Sequence, residues 1–162
     1  MPASSPKTLR LAAFALALFA PAIGFAADPI AKTDGEKAGF TIEVTELKRS
    51  SGDTLTLRFN LVNDSGEAFK PGGWYFGDYK DHQNQDIGNL GAITLIDSVG
   101  RKKYFVVRDT DQNCICSNGI PSVDAKSRVA LWARFPAPPA STTKIGVAIP
   151  HFIPMDDVAI SQ

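Results

Sequence analysis

The sequence predicts an all-β fold, a two-sheet antiparallel immunoglobulin-like sandwich of about seven strands. Three observations carry that expectation. Apolar side chains recur with a period of two in several short runs, as strands with one wet face require. Clusters of Gly, Pro, Asn, Asp and Ser separate those runs. After the first 26 residues no stretch has the 3.6-residue period of an amphipathic helix.

The N-terminus is set apart from this pattern. Lys7 and Arg10 precede an apolar run from Leu11 to Phe25, and Gly24-Phe25-Ala26 then offers small residues at a peptidase site. This is the layout of a secretory signal peptide, assigned to residues 1–26. A membrane anchor is the competing reading, but the run has about 15 residues, short of the roughly 18–20 a spanning helix needs. The expectation is a periplasmic or secreted protein with no transmembrane segment once the signal is removed. The whole chain is formally neutral, so losing Lys7 and Arg10 leaves about two more carboxylates than cations. No basic run remains for nucleic acid or an anionic membrane surface. About 136 residues remain, enough for one substantial core.

Residues 27–38 are polar, with Pro29 and Gly35, and read as a flexible lead-in to a domain spanning residues 39–162. Phe40, Ile42 and Val44 alternate with polar neighbours, while Leu47 falls out of phase and predicts a bulge or a strand end near Glu46. Leu55, Leu57, Phe59 and Leu61 give the clearest strand. Asn63-Asp64-Ser65-Gly66 ends it; its match to a glycosylation acceptor is discounted as a three-residue coincidence. Trp74-Tyr75-Phe76 reads as a short strand before a long loop, and Ala92 to Asp97 as another strand. Val99 to Lys102 would turn it into a hairpin with Tyr104 to Arg108, which is apolar on both faces and predicts a central strand. Ser127 to Phe135 alternates again, with Trp132 read as structural. Pro136 to Pro139 breaks that run, and Lys144 to Ile149 closes the set, with an irregular tail after Pro150.

Both cysteines lie in one turn, Cys114 and Cys116. Export favours pairing them. In an extended strand their Cα atoms would sit at roughly the 6.8 Å upper limit for a disulfide, so a bridge needs a bent backbone. Two free thiols, a metal site or an intermolecular bridge are the other readings. A thioredoxin-like motif does not fit the one-residue spacing. Asp109, Asp111 and Asn113 have the spacing that opens a calcium loop, but Cys114 and Ile120 stand where glycine and a bidentate glutamate belong. A hydrated turn is the better reading.

The ordered segments LIDSVGRKKYFVVRDTDQNCICS and LWARFPAPPASTTKIGVAIPHFIPMDDVAIS resemble a family of bacterial exported domains, over roughly Phe40 to Ser161. Its members look like immunoglobulin-like modules, some standing alone as exported proteins or lipoproteins, some joined to OmpA-like peptidoglycan-binding domains. The resemblance implies an envelope location and the sandwich fold. It implies no activity and assigns no functional residue.

The functional expectation is a non-enzymatic binding or structural module of the bacterial cell envelope, partnered by a protein or envelope component, with no cofactor. Candidate protein-binding residues are Trp74, Tyr75, Phe76 and Tyr79 in the aromatic loop, and Asp109 and Asp111 in the cysteine turn. The plainer reading of the aromatics is that they cover one open end of the sandwich. The alternative function is a thiol/disulfide or metal-handling periplasmic protein using Cys114 and Cys116. His82 and His151 lack a second ligand at metal spacing and read as structural or surface residues.

Overall fold

In the computed structural model, the described residues are 28–71, 75–77 and 88–162. The signal-peptide assignment and the expectations on Trp74, Tyr79 and His82 lie outside them. The described residues form eight strands: β1 (Ala31–Asp34), β2 (Phe40–Ser50), β3 (Thr54–Asn63), β4 (Thr94–Asp97), β5 (Lys102–Phe105), β6 (Ser127–Pro136), β7 (Lys144–Ala148) and β8 (Met155–Ala159). They make two four-stranded sheets, ordered β1-β2-β3-β6 and β5-β4-β7-β8. Every strand pair is antiparallel. The predicted two-sheet sandwich is therefore observed, with its own strand order. β2 and β3 form a hairpin in one sheet, whereas the second and third strands of an immunoglobulin constant domain lie in opposite sheets.

The core follows the alternation. Ile42 and Val44 of β2, Leu55, Leu57, Phe59 and Leu61 of β3, and Leu131, Ala133 and Phe135 of β6 point inward against Leu95, Ile145 and Val147 of the facing sheet. Each fully buried Leu, Ile or Phe stabilises the fold by about 1.5–3 kcal/mol relative to exposure. The register slips between Val44 and Glu46, so β2 continues past the expected bulge and Leu47 returns to the core.

Four expectations are corrected. Residues expected as a lead-in contain β1, whose four residues pair with Val44 to Thr41. It has no apolar rhythm; ladder bonds and the Thr33 hydroxyl, which donates to Ile153 O at 2.7 Å, hold it. The tail expected to be irregular contains β8. Its pairing slips between Ile145 and Val147, so Met155 and Val158 both point inward although three residues apart, which hides the two-residue period. The strand expected to be central is β5, at the sheet edge, with Phe105 62 % exposed. Its two-faced apolarity has another cause. Val106 enters the core as the chain leaves that sheet, and Val107 N–H donates to Arg134 O on β6. Tyr75 and Phe76, expected in a short strand, lie in a bend.

Backbone bonds also tie the sheets at both flanks. On one, Gly35 bridges Phe152 and Glu36 N–H donates to His151 O at 2.8 Å. The tail then takes up the half of β2 that β1 leaves uncovered, through Ser161 N–H to Leu47 O and Arg49 N–H to Ser161 O. The other flank is closed by the cysteine turn.

Candidate functional site

The cysteine turn is a hairpin laid along the outer edge of β6. Arg108 bridges Cys114, and Cys116 bridges Ala133. The sulfurs of Cys114 and Cys116 lie at disulfide distance, with Cα atoms 5.3 Å apart. That separation is the bent backbone a bridge requires. Both cysteines are buried, 5 % and 6 % exposed, on the core side of the hairpin. Leu90 N–H points at Cys116 Sγ, 3.4 Å away.

Asp109 organises the tip. Its Oδ1 accepts the backbone N–H groups of Asp111 and Asn113, both at 2.9 Å, and its Oδ2 accepts from Asn113 Nδ2. The Asn113 backbone bond, aided by the Asn113 side chain and the Asp111 N–H, holds the Asp109 carboxyl below its ordinary value against slight desolvation. Arg108 Nη1 donates to Gln112 O at 2.7 Å. The Asp109 carboxylate thus serves its own loop. Asp111 is exposed beside it. Among the described residues, no three or more His, Cys, Asp or Glu side chains are grouped to hold a metal ion.

The aromatic candidates fall elsewhere. Phe76 is buried and stacks on Phe152 at 6.2 Å. Tyr75 is half-buried, edge-on to Phe69 at 5.1 Å and stacked on the His151 ring at 4.3 Å. Burial raises the Tyr75 phenol pKa, and the Glu36 carboxylate adds to the rise. Glu36 Oε2 lies 3.1 Å from His151 Nδ1, and Lys37 Nζ sits over the rings of Phe40 and Phe69. This cluster packs where β2 begins, against Phe40 and Phe69. No described hydrogen bond or ring contact joins it to the Asp109 turn.

A groove of about 390 Å³ lies on the outward side of the β1-β2-β3-β6 sheet, lined by Glu46, Lys48, Ser50, Thr56, Arg58, Trp132 and Arg134. Strand register builds it row by row. Glu46 opposes Arg58, which opposes Trp132; Lys48 opposes Thr56, which opposes Arg134. Arg58 Nε pairs with Glu46 Oε2 at 3.1 Å. Trp132 is half-buried. Arg134 Nε is shielded from solvent without a hydrogen-bond partner. Such a group is rare in a native interior and calls for an explanation.

The cysteine hairpin supports this groove. Ser117 N–H donates to Trp132 O at 2.8 Å, and Trp132 N–H donates to Ser117 Oγ at 3.0 Å. Arg134 N–H donates to Ile115 O and its carbonyl accepts from Val107. Both residues are therefore fixed in a strand paired on two sides. Trp132, expected to be structural, falls in the wet phase of its strand, two residues from Arg134 and four from Arg128. A second cavity, of about 490 Å³, lies between the β4–β5 turn and the β6–β7 connection. There Asp97 Oδ1 accepts Gly100 N–H at 2.7 Å.

Compared with protein-family models, curated proteins and solved structures, the chain matches none. The class that fold and site define is an all-β sandwich with a polar groove, lined in part by Trp132, on one sheet.

Proposed function

We propose that this protein is a non-enzymatic, exported binding module of the bacterial cell envelope that recognises its partner on the outward face of the β1-β2-β3-β6 sheet. The observation that carries the reading is Trp132, a half-buried aromatic in an open groove, surrounded by charged and hydroxyl side chains. A large ring that is neither core nor fully solvated is the usual anchor of a recognition surface. Export is supported by the signal-like first 26 residues and by cysteines at bonding distance, which suit an oxidising compartment. Burial of both sulfurs speaks against the thiol-exchange alternative, because exchange needs access to a sulfur.

The test is sedimentation of the purified processed domain with insoluble envelope from a bacterial host, comparing wild type with Trp132→Ala and Tyr75→Ala. Loss with Trp132→Ala alone supports the sheet face. Loss with Tyr75→Ala alone moves recognition to the aromatic end. No envelope binding by the wild type removes the proposal.

A further inference from the structure

The groove also carries information on what it would hold. Three cations line it, Lys48, Arg58 and Arg134, against one carboxylate, Glu46. Glu46 is engaged by Arg58. Lys48 and Arg134 have no ion pair among the described residues. A locally cationic site on a chain with 17 cations and 17 carboxylates is placed charge, and it attracts anions by its own field. The Arg134 guanidinium is partly desolvated, its Nε has no hydrogen-bond partner, and no ion pair of Arg134 occurs among the described residues.

The shape narrows the class further. The backbone of β2 and β3 is taken up by ladder bonds, and the edge of β6 is taken up by Val107, Ile115 and Ser117. The groove floor therefore offers no spare strand edge for an extended peptide to pair with. Recognition falls to side chains standing on a pleated surface: an indole, two hydroxyls (Ser50 and Thr56) and the cations. An indole face suits the apolar C–H face of a pyranose ring, and hydroxyls and cations suit its polar rim.

Resting on the reading that this face binds, we propose that its ligand is an acidic saccharide, with a pyranose ring against Trp132 and its carboxylate between Lys48 and Arg134. The probe is a six-residue oligogalacturonate, titrated calorimetrically into the processed domain. Maltohexaose serves as the neutral control and hexaglutamate as the acidic peptide control. The expected result is binding of the oligogalacturonate that is at least tenfold tighter than of either control and weakens with added salt. Trp132→Ala should cost about tenfold, and Arg134→Gln a similar factor for the acidic sugar only. Arg134→Lys keeps the charge but not the planar fork and should restore part of the loss. Native far-UV circular dichroism of each variant separates loss of binding from loss of fold.

Preference for hexaglutamate, or equal binding of maltohexaose, overturns the acidic-saccharide assignment. So does an oligogalacturonate affinity unmoved by both Trp132→Ala and Arg134→Gln. If the oligogalacturonate fails while envelope sedimentation still depends on Trp132, the ligand class is wrong and the binding face stands. If that dependence is absent as well, the face itself is wrong.

Discussion

Asn63 is fully buried at the end of β3, and its amide is consumed locally. Nδ2 donates to the carbonyls of Glu67, Val123 and Asp124 at 2.8–3.1 Å, while Oδ1 accepts from the Ser65 N–H and hydroxyl. The side chain pins the start of the β3–β4 connection to the segment before β6. Each carbonyl keeps a second donor, from Phe69 N–H, Ser65 Oγ or Ser127 Oγ, but Asn63→Ala removes the whole buried network and takes the acceptor from Ser65 N–H, so about 3 kcal/mol of stability should be lost in urea unfolding. An unchanged midpoint would show that water replaces the amide. The same burial leaves Asn63 inaccessible for glycan attachment in the folded chain. Asp109 makes a second prediction. Its pKa is lowered on folding, so its contribution is present above the unfolded carboxylate pKa and is lost as pH falls through the folded value. Amide exchange at Asp111 and Asn113, corrected for intrinsic rates, should accelerate when the sample is taken through that acid range. Constant protection would separate the turn from this carboxylate.

Among the elements, the cysteine hairpin has the most specific role. Its ring spans so few residues that cross-linking removes only about 1–2 kcal/mol of unfolded-chain entropy. Its larger role is to keep the edge of β6 paired, since an open edge is a template for other chains. In native buffer, a mild reductant should release no thiol from Cys114 and Cys116, whereas in denaturing urea it should release both. Rapid native reduction would return the thiol-handling reading to contention. Cys114→Ala with Cys116→Ala should keep the fold but raise hydrogen exchange at Ser117 and Arg134. The elements also show what sequence patterning reaches. β3, β6, β7 and the first half of β2 were legible because each presents one apolar face in alternation. β1 and β8 were not, because ladder bonds and a register slip define them. β5 was placed wrongly because its apolar residues serve two sheets in succession. Of the candidate site, the cysteine pair was legible from two letters. The groove was not, because its residues come from three strands and meet only through register.

At the scale of the whole molecule, the two sheets hold together through a shared core and through backbone ties at both flanks. Arg49 adds a further tie, donating from Nη1 to Pro138 O and from Nη2 to Pro139 O and Thr142 O, so one guanidinium fixes the β6–β7 crossing. Truncation after Ala159 removes the Ser161 ladder bonds to Leu47 and Arg49 and should cost about 1–3 kcal/mol. The loss should appear as one cooperative unfolding transition at lower denaturant. A second, separate transition would mean that the sheets unfold independently.

The slip in β2 reaches further than Leu47. Ahead of Thr45 the even-numbered side chains point under the sheet; behind it, Glu46, Lys48 and Ser50 stand above. One spare residue therefore decides which side of the strand is wet. Excising Thr45 would straighten the strand yet leave Glu46 opposite Arg58 and Leu47 opposite Leu57, whereas forcing Thr45 into the ladder would push Glu46 inward and put Leu47 in the water.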